Sequence, residues 1–316
     1  MTLHRFEHPA MATTFEIYVP AEAHALEYAR QATTAAFDEL DRLERTLSRF
    51  ISTSDIAQLN AAKPGEIVMV SAETMDCLRL ARRVWEETGG VFDITVGHLQ
   101  ACYVTRKYEA RTPTAEEVAV ARGRTGMHLL EIDPEINRVM VRAAGMWLDL
   151  GAVGKGYAVD VIAALLQDWG ITRTLIHGGQ SSVLAVGDGP AEGGGWNVPI
   201  RHPQRHEEAL ATMCLRDCAV GASGVLLHGT HIVDPRAGAP AGKGHAGTWV
   251  VTAREQGAAA ADALSTAFMM LTAEEIAAYC ARHPEIGAMV ADEAGVTRKF
   301  GAWEAFARGG RGTQVQ

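Results

Sequence analysis

Asp149-Leu-Gly-Ala-Val-Gly-Lys-Gly-Tyr-Ala158 is a glycine-rich turn with one lysine, opening into a helical run that reaches Asp168 and stops at Gly170. Glycines at 151, 154 and 156 let the backbone approach another group closely, and Lys155 adds a mobile positive charge. Two common phosphate-binding fingerprints do not match. A dinucleotide-binding turn reads G-x-G-x-x-G, whereas the order here is G-x-x-G-x-G. A Walker loop ends in G-K-[ST], and Gly156 stands where the hydroxyl belongs. A phosphate cradle and a plain strand-to-helix bend therefore both fit the stretch. The lysine weighs toward the first, because an enclosed charge needs an anionic partner.

Outward from this turn, strand-like and helical segments follow one another without a regular order. Upstream, Thr14-Phe-Glu-Ile-Tyr-Val19 alternates apolar and polar residues, the pattern of a half-buried strand. Residues 26–50 carry Phe37, Leu40, Leu43 and Leu47 near helical period, which predicts a long amphipathic helix. A turn at 62–65 leads to a strand over 66–70, then to a helix over 72–87 stopped by Gly89-Gly90. After Pro113 comes a short helix, then a hairpin-like pair over 128–132 and 138–142 with its turn at Asp133-Pro134. Downstream, residues 174–176 and 183–186 flank Gly178-Gly179, and 196–200, 248–252 and 287–290 read as further strands. Helices are expected over about 258–271 and 273–282. This irregular mixture with several hairpins predicts an α+β fold of mixed, largely antiparallel sheets with packed helices, not a doubly wound parallel sheet. No linker divides the chain, so residues 1–316 read as a single domain, with 307–316 a disordered tail.

Composition narrows the function. At 316 residues and 47% hydrophobic the chain can bury a sizeable core. No run of eighteen apolar residues is present, so no membrane span is expected, and the N-terminus lacks the pattern of a signal peptide. A formal charge of −9 argues against a nucleic-acid partner and means that any phosphate ligand needs local cations. Five scattered cysteines do not form a disulfide framework, and they point to a reducing, cytoplasmic setting.

Candidate chemistry sits at three further places. In Ala261-Asp-Ala-Leu-Ser-Thr266, Asp262 and Thr266 lie four residues apart on one helix face with Ser265 between them. One carboxylate with hydroxyl oxygens suits a hard cation such as Mg²⁺, though an aspartate in a helix's first turn beside an unrelated threonine fits equally. His231 precedes the turn Asp234-Pro235-Arg236 and is either a base or phosphate contact, or a surface histidine. In Thr88-Gly-Gly-Val-Phe-Asp-Ile-Thr95, Phe92 and Asp93 could wall and hydrogen-bond a heterocycle, or simply follow a helix stop into the core.

Taken in order, these segments resemble the FAD:protein FMN transferase (ApbE-type flavin transferase) family. Met11-Ala-Thr-Thr-Phe15 is similar to the family's M-G-T opening. Leu47-Ser-Arg-Phe-Ile-Ser-Thr-Ser-Asp-Ile56 with Leu59-Asn60 resembles its S-x-[YF]-x-x-x-S-x-[IL]-x-x-L-N stretch. Residues 88–97 match T-x-G-x-F-D-x-T-x-G, and the Asp149, His231 and Asp262 motifs follow in family order, over roughly residues 11–272. Four positions depart from the pattern: Ala12 for a glycine, Phe50 for a frequent tyrosine, Gln180-Ser-Ser182 for an acid or amide with apolar neighbours, and Ala237 for a threonine.

The resemblance implies an ApbE-like, T-fold-related architecture with FAD as substrate. It places Met11, Phe50, Val91, Phe92 and Asp93 around the flavin, with Lys155, His231 and Ile232 near the phosphates. It gives Mg²⁺ to the Gly154 carbonyl with Asp262, Thr266 and Ser265, and makes His231 or Asp262 the base. The implied reaction transfers FMN from FAD to a threonine or serine hydroxyl of an acceptor protein and releases AMP. The alternatives are a Mg²⁺-dependent FAD pyrophosphatase and a non-catalytic FAD-binding protein.

Overall fold

The computed structural model describes residues 2–105, 109–203, 205, 207–224, 232–242 and 244–307. The N-terminal hairpin pairs β1 (Leu3–Ala10) with β2 (Thr13–Pro20), and α1 (Leu26–Leu47) and α2 (Asp55–Ala61) follow. Next come β3 (Ile67–Met69), α3 (Ala72–Glu87), α4 (Gly97–Tyr103) and α5 (Ala115–Arg122). The hairpin of β4 (Leu130–Asp133) and β5 (Arg138–Val141) precedes α6 (Gly154–Asp168). Then run β6 (Thr174–Gly178), β7 (Ser182–Val186), β8 (Trp196–Arg201), β9 (Ala209–Leu215) and β10 (Cys218–Gly224). Two short strands, β11 (Val233–Asp234) and β12 (Ala239–Pro240), lead to β13 (Gly247–Ala253). The chain closes with α7 (Gly257–Phe268), α8 (Ala273–Arg282), β14 (Gly287–Ala291), β15 (Thr297–Gly301) and α9 (Trp303–Ala307).

An eight-stranded sheet in the order β1-β2-β6-β7-β10-β13-β14-β15 is the frame, and every pairing in it is antiparallel. Strand alternation sorts its side chains onto two covered faces. Phe15, Ile17, Ile176, Leu184, Ala219, Val250 and Val290 join Leu40, Leu43, Val159, Ile162, Ala263 and Phe268 from α1, α6 and α7 in the larger core. Leu175, Val183, Val220, Val251 and Met289 point the other way. They meet Trp196, Ile200 and Leu215 of the β8–β9 hairpin and Trp303 and Phe306 of α9. The result is an α+β fold of largely antiparallel sheets, as the mixed sequence pattern predicts.

Several boundaries shift. The first long helix stops at Leu47 and not at Phe50, because Ser48 turns extended (ψ 122°) and its carbonyl accepts the Ser54 hydroxyl at 2.6 Å, just before α2. The helix after the glycine turn starts at Gly154, so Gly154 and Gly156 lie in its first turn. α7 ends at Phe268 instead of near residue 271. Ala307 is the last residue of α9, and the rest of the expected tail, 308–316, lies outside the described residues.

The hairpin gives a reason for the glycine that Ala12 replaces. The β1–β2 hairpin closes Ala10 against Thr13 through two residues, Met11 and Ala12, both left-handed at φ 52° and 59°. Such a turn favours glycine at its second position. Replacing Ala12 by glycine relieves Cβ strain and is expected to raise stability by about 1 kcal/mol, read from denaturant midpoints with an unchanged slope. No change in midpoint would mean the hairpin turn carries no strain.

Candidate active site

The glycine turn is the meeting point of three motifs. Asn60 of α2 brackets it: its Nδ2 donates to the Leu148 carbonyl at 3.1 Å and its Oδ1 accepts from the Leu148 N–H at 2.6 Å. Asp149 N–H donates to the Ile94 carbonyl at 2.7 Å, and Gly97 N–H to that of Trp147 at 3.1 Å, so the 88–97 segment is laced to the same strand-like run. Asp149 then folds the turn, its Oδ1 accepting from Gly151 N–H at 2.9 Å. Lys155 is partly buried; its Nζ donates to the Gly151 carbonyl at 3.0 Å, and it has no ion-pair partner among the described residues. A lysine held over a glycine turn without a direct ion pair is suited to contacting an anion.

Beside the turn stands an aromatic and cationic wall. Phe50 is 80% exposed, the Arg49 guanidinium lies 4.5 Å from its ring centroid and 5.2 Å from that of Trp147, and Arg49 Nε is 3.3 Å from Asp149 Oδ2. An exposed ring steadied in this way offers a stacking face to a planar ligand.

The 91–93 segment behaves differently. Val91 and Phe92 are core residues, and Asp93 is buried with both oxygens used. Its Oδ1 accepts from the Thr95 N–H and hydroxyl, and its Oδ2 from the Met127 N–H. Burial pushes its carboxyl up, against those hydrogen bonds. These side chains shape the loop and do not project to the surface. Met11 is partly buried on the larger core at the hairpin turn, and Ile232 is buried in that core with its carbonyl accepting from Ala241 N–H at 2.8 Å. His231 lies outside the described residues. The adjoining turn is built by Asp234, whose Oδ1 accepts from Arg236 N–H at 2.9 Å and whose carbonyl accepts from Gly238 N–H, leaving Ala237 exposed.

Asp262 is the centre of the second cluster. α7 lies across β10 and β13, and it comes so close because Gly221 of β10 has no side chain: a Cβ there would sit 2.2 Å from the Ala261 backbone. α6 approaches equally closely at Gly156, where a Cβ would fall 2.4 Å from the Ala258 carbonyl. The two helices are tied by Asp160, which accepts from the Ala258 and Ala259 N–H groups at 2.7 and 2.9 Å and caps α7 from its neighbour. Asp262 is thereby enclosed at 4% exposure. Its Oδ2 accepts from Gly156 N–H at 2.9 Å and from the Ser182 hydroxyl at 2.6 Å, whereas its Oδ1 is buried without any partner among the described residues. Burial pushes its carboxyl up to about 7, opposed first by the Lys155 charge.

Three further hydroxyls are linked to one another on α7 and the adjoining β10. Ser265 Oγ donates to the Asp262 carbonyl at 2.9 Å, and Ser223 Oγ of β10 lies 2.9 Å from Ser265 Oγ and 3.0 Å from Thr266 Oγ1. Asp262, Ser265 and Thr266 share one stretch of α7, with Ser265 bonded to the Asp262 main-chain carbonyl and Thr266 reaching Ser223, and Gly154 opens the helix whose third residue holds Asp262. The sequence marks Gln180-Ser-Ser182 only as a departure from the family pattern, gives Ser182 no role, and does not single out Ser223; the two serines reach the cluster from separate strands, and only pairing registers bring them there. Among the described residues no group of three or more His, Cys, Asp or Glu side chains gathers. A cation here must use one carboxylate with hydroxyl and carbonyl oxygens, a donor set that fits Mg²⁺ completed by phosphate oxygens and water. The orphaned Asp262 Oδ1 is the strongest sign of fit, since a buried carboxylate oxygen without a donor is costly.

The chain is thus an α+β protein that sets a buried carboxylate, linked hydroxyls and a lysine-bearing glycine turn side by side. The profile of the ApbE family matches residues 11–290, and the chain belongs to that family. It is 31% identical over 233 residues to the FAD:protein FMN transferase of Klebsiella pneumoniae, covering 70% of this chain and 64% of that one. With the same-named protein of Vibrio cholerae it shares 28% over 284 residues, covering 84% and 80%. The chain spans 64% of the length of the Klebsiella relative and of a Salmonella typhimurium one. The solved flavin transferase ApbE from Vibrio cholerae superposes with a TM-score of 0.82 at 25% identity over 96% of this chain and 99% of that one. The ApbE protein of Thermotoga maritima gives 0.83 at 24%, covering 97% and 100%.

Proposed function

We propose that this chain transfers FMN from FAD to a threonine or serine hydroxyl of an acceptor protein, releasing AMP, with Mg²⁺ as cofactor. The observation that carries the reading is Asp262 Oδ1: a buried, partnerless carboxylate oxygen among hydroxyls, next to the lysine-bearing turn. Asp262, Thr266, Ser265 and the Gly154 carbonyl would hold the ion, which supplies charge neutralisation on the diphosphate as the phosphorus is attacked. Lys155 and the glycine turn would hold phosphate oxygens, and the family resemblance assigns His231 and Ile232 to the same phosphates. Phe50 stacks on a planar ring of FAD, Met11 packs beside the flavin, and the loop of Val91, Phe92 and Asp93 sets the shape of its wall.

In the transfer, the acceptor oxygen forms a bond to the FMN phosphorus as the bond from that phosphorus to the bridging oxygen breaks. AMP leaves with the electron pair, and the hydroxyl proton passes to a base, His231 or Asp262. All five cysteines are free thiols, and the acceptor in this reading is cytoplasmic. No helix among the described residues is long and apolar enough to cross a membrane.

The test is AMP release from FAD with and without Mg²⁺, in the presence of an acceptor peptide carrying a flavinylation motif, with the peptide weighed afterwards. Mg²⁺-dependent AMP and a mass gain of one FMN support transfer. AMP with free FMN and an unmodified peptide replaces it with hydrolysis, and FAD bound without AMP replaces it with simple binding.

Phe50→Ala is expected to weaken FAD binding about fivefold to tenfold, because an aromatic stack contributes on the order of 1 kcal/mol beyond burial. Fluorescence titration reads it. Equal affinity removes Phe50 from the flavin contacts.

A further inference from the structure

The two oxygens of Asp262 are unequal, and the inequality is built by residues outside the expected ligand set. Oδ2 is taken twice, by the Gly156 N–H and the Ser182 hydroxyl, while Oδ1 is buried and has no partner among the described residues. Ser182 is itself fully buried, at the first position of β7, where its register partners are Gly178 on one side and Gly221 on the other. The hydroxyl has no other described partner except Ser181 Oγ at 3.4 Å, so its short 2.6 Å bond to Asp262 is its main interaction. Gly156, lacking a side chain, lets α6 bring its N–H to the same oxygen.

We propose that Ser182 is a positioning residue that sets ion selectivity: by occupying Asp262 Oδ2 it confines the carboxylate to one-oxygen coordination and so favours Mg²⁺ over Ca²⁺. This rests on the metal assignment above. Mg²⁺ demands a small octahedron and takes carboxylates through single oxygens with retained waters. Ca²⁺ takes six to eight oxygens and gains from a carboxylate that offers both. With Oδ2 held by two donors, a second metal–oxygen contact would have to break a charge-assisted hydrogen bond inside the protein, where no water replaces it.

The experiment uses the full chain at about pH 8, where the carboxylate is ionised, with Mn²⁺ alone as the bound probe. Electron paramagnetic resonance counts free Mn²⁺ while Mg²⁺ or Ca²⁺ displaces it. The ratio of displacing concentrations gives the selectivity without any turnover. Ser182→Ala is expected to lower the Mg²⁺-over-Ca²⁺ preference by about tenfold, the scale of one charge-assisted hydrogen bond. Ser182→Thr, which keeps the hydroxyl, is expected to retain the wild-type ratio provided that its thermal midpoint matches wild type, which shows that the packed site beside Ala261 has admitted the added methyl group. An unchanged ratio in folded Ser182→Ala overturns the selectivity role and leaves the metal site standing. A ratio lost equally in Ser182→Thr also overturns it, since packing and not the hydroxyl would then be responsible. Wild-type protein that binds no Mn²⁺, or Asp262→Asn that binds it as tightly, overturns the metal assignment and this inference with it.

Discussion

Asp262→Asn is expected to reduce AMP release from FAD by at least about a thousandfold while leaving the protein folded. The size follows from what the residue offers. It is the carboxylate that Gly156 N–H and Ser182 hold beside the hydroxyls of α7 and β10, and an amide of the same shape cannot neutralise a cation. Loss of metal charge stabilisation at a transferring phosphoryl group is worth several kcal/mol, and a thousandfold is about 4 kcal/mol. Stability should not suffer in proportion, because the amide oxygen can still accept from Gly156 N–H and Ser182, and the buried charge is gone. FAD affinity measured without metal should stay near wild type, since the stacking face at Phe50 and the lysine at 155 are untouched. Turnover within tenfold of wild type at saturating Mg²⁺ would remove Asp262 from the metal site. A collapse of thermal stability would instead assign it to the fold.

How much of this is legible in the sequence depends on which interaction fixes each residue. The shared face of Asp262 and Thr266 reads directly, because residues four apart in a helix always lie together. The glycine turn, the hairpins around 133–134 and 178–179, and the helices over 72–87 and 273–282 also follow from local signals. β10 does not announce itself: Cys218-Ala-Val-Gly-Ala-Ser-Gly224 is too small and glycine-rich to read as a strand. Its composition answers to α7, whose backbone would collide with any side chain at 221. Ser182 and Ser223 are hidden for a related reason, since what makes them matter is strand register and not spacing along the chain. Phe92 and Asp93 are legible as a motif but not as to role. Their burial and internal hydrogen bonds make them builders of the loop, the plainer of the two readings open to the sequence. The edge strand β1 escapes a sequence reading because its half-exposed alternation is weak until β2 pairs with it.

Mg²⁺ is expected to raise the thermal midpoint strongly near pH 8 and hardly at all near pH 5. Asp262 is raised from 3.8 to about 7 in the folded chain by burial, with Lys155, Ser182 and Gly156 opposing. Between roughly pH 4 and pH 7 the folded chain therefore keeps a proton that the unfolded chain has lost. Metal-free stability must fall as pH rises through that window and level off above it, by on the order of 4 kcal/mol for this one group. Asp160, raised to about 6 by burial at the α7 N-terminus, slopes the same way over a narrower range. Only Asp262 couples that slope to the ion. Mg²⁺ binds the ionised carboxylate alone, so at about pH 8 a concentration a hundredfold above the dissociation constant contributes about 2.7 kcal/mol. In a chain of this size that is about 5 °C in the midpoint. At about pH 5 the proton occupies the site and the gain disappears. Scanning fluorimetry across pH with and without MgCl₂ reads the difference, and Asp262→Asn should erase it while keeping the shallower Asp160 slope. A Mg²⁺ shift of equal size at both pH values, or one that survives in Asp262→Asn, would mean that the ion binds elsewhere and that the raised carboxyl is only a feature of the core.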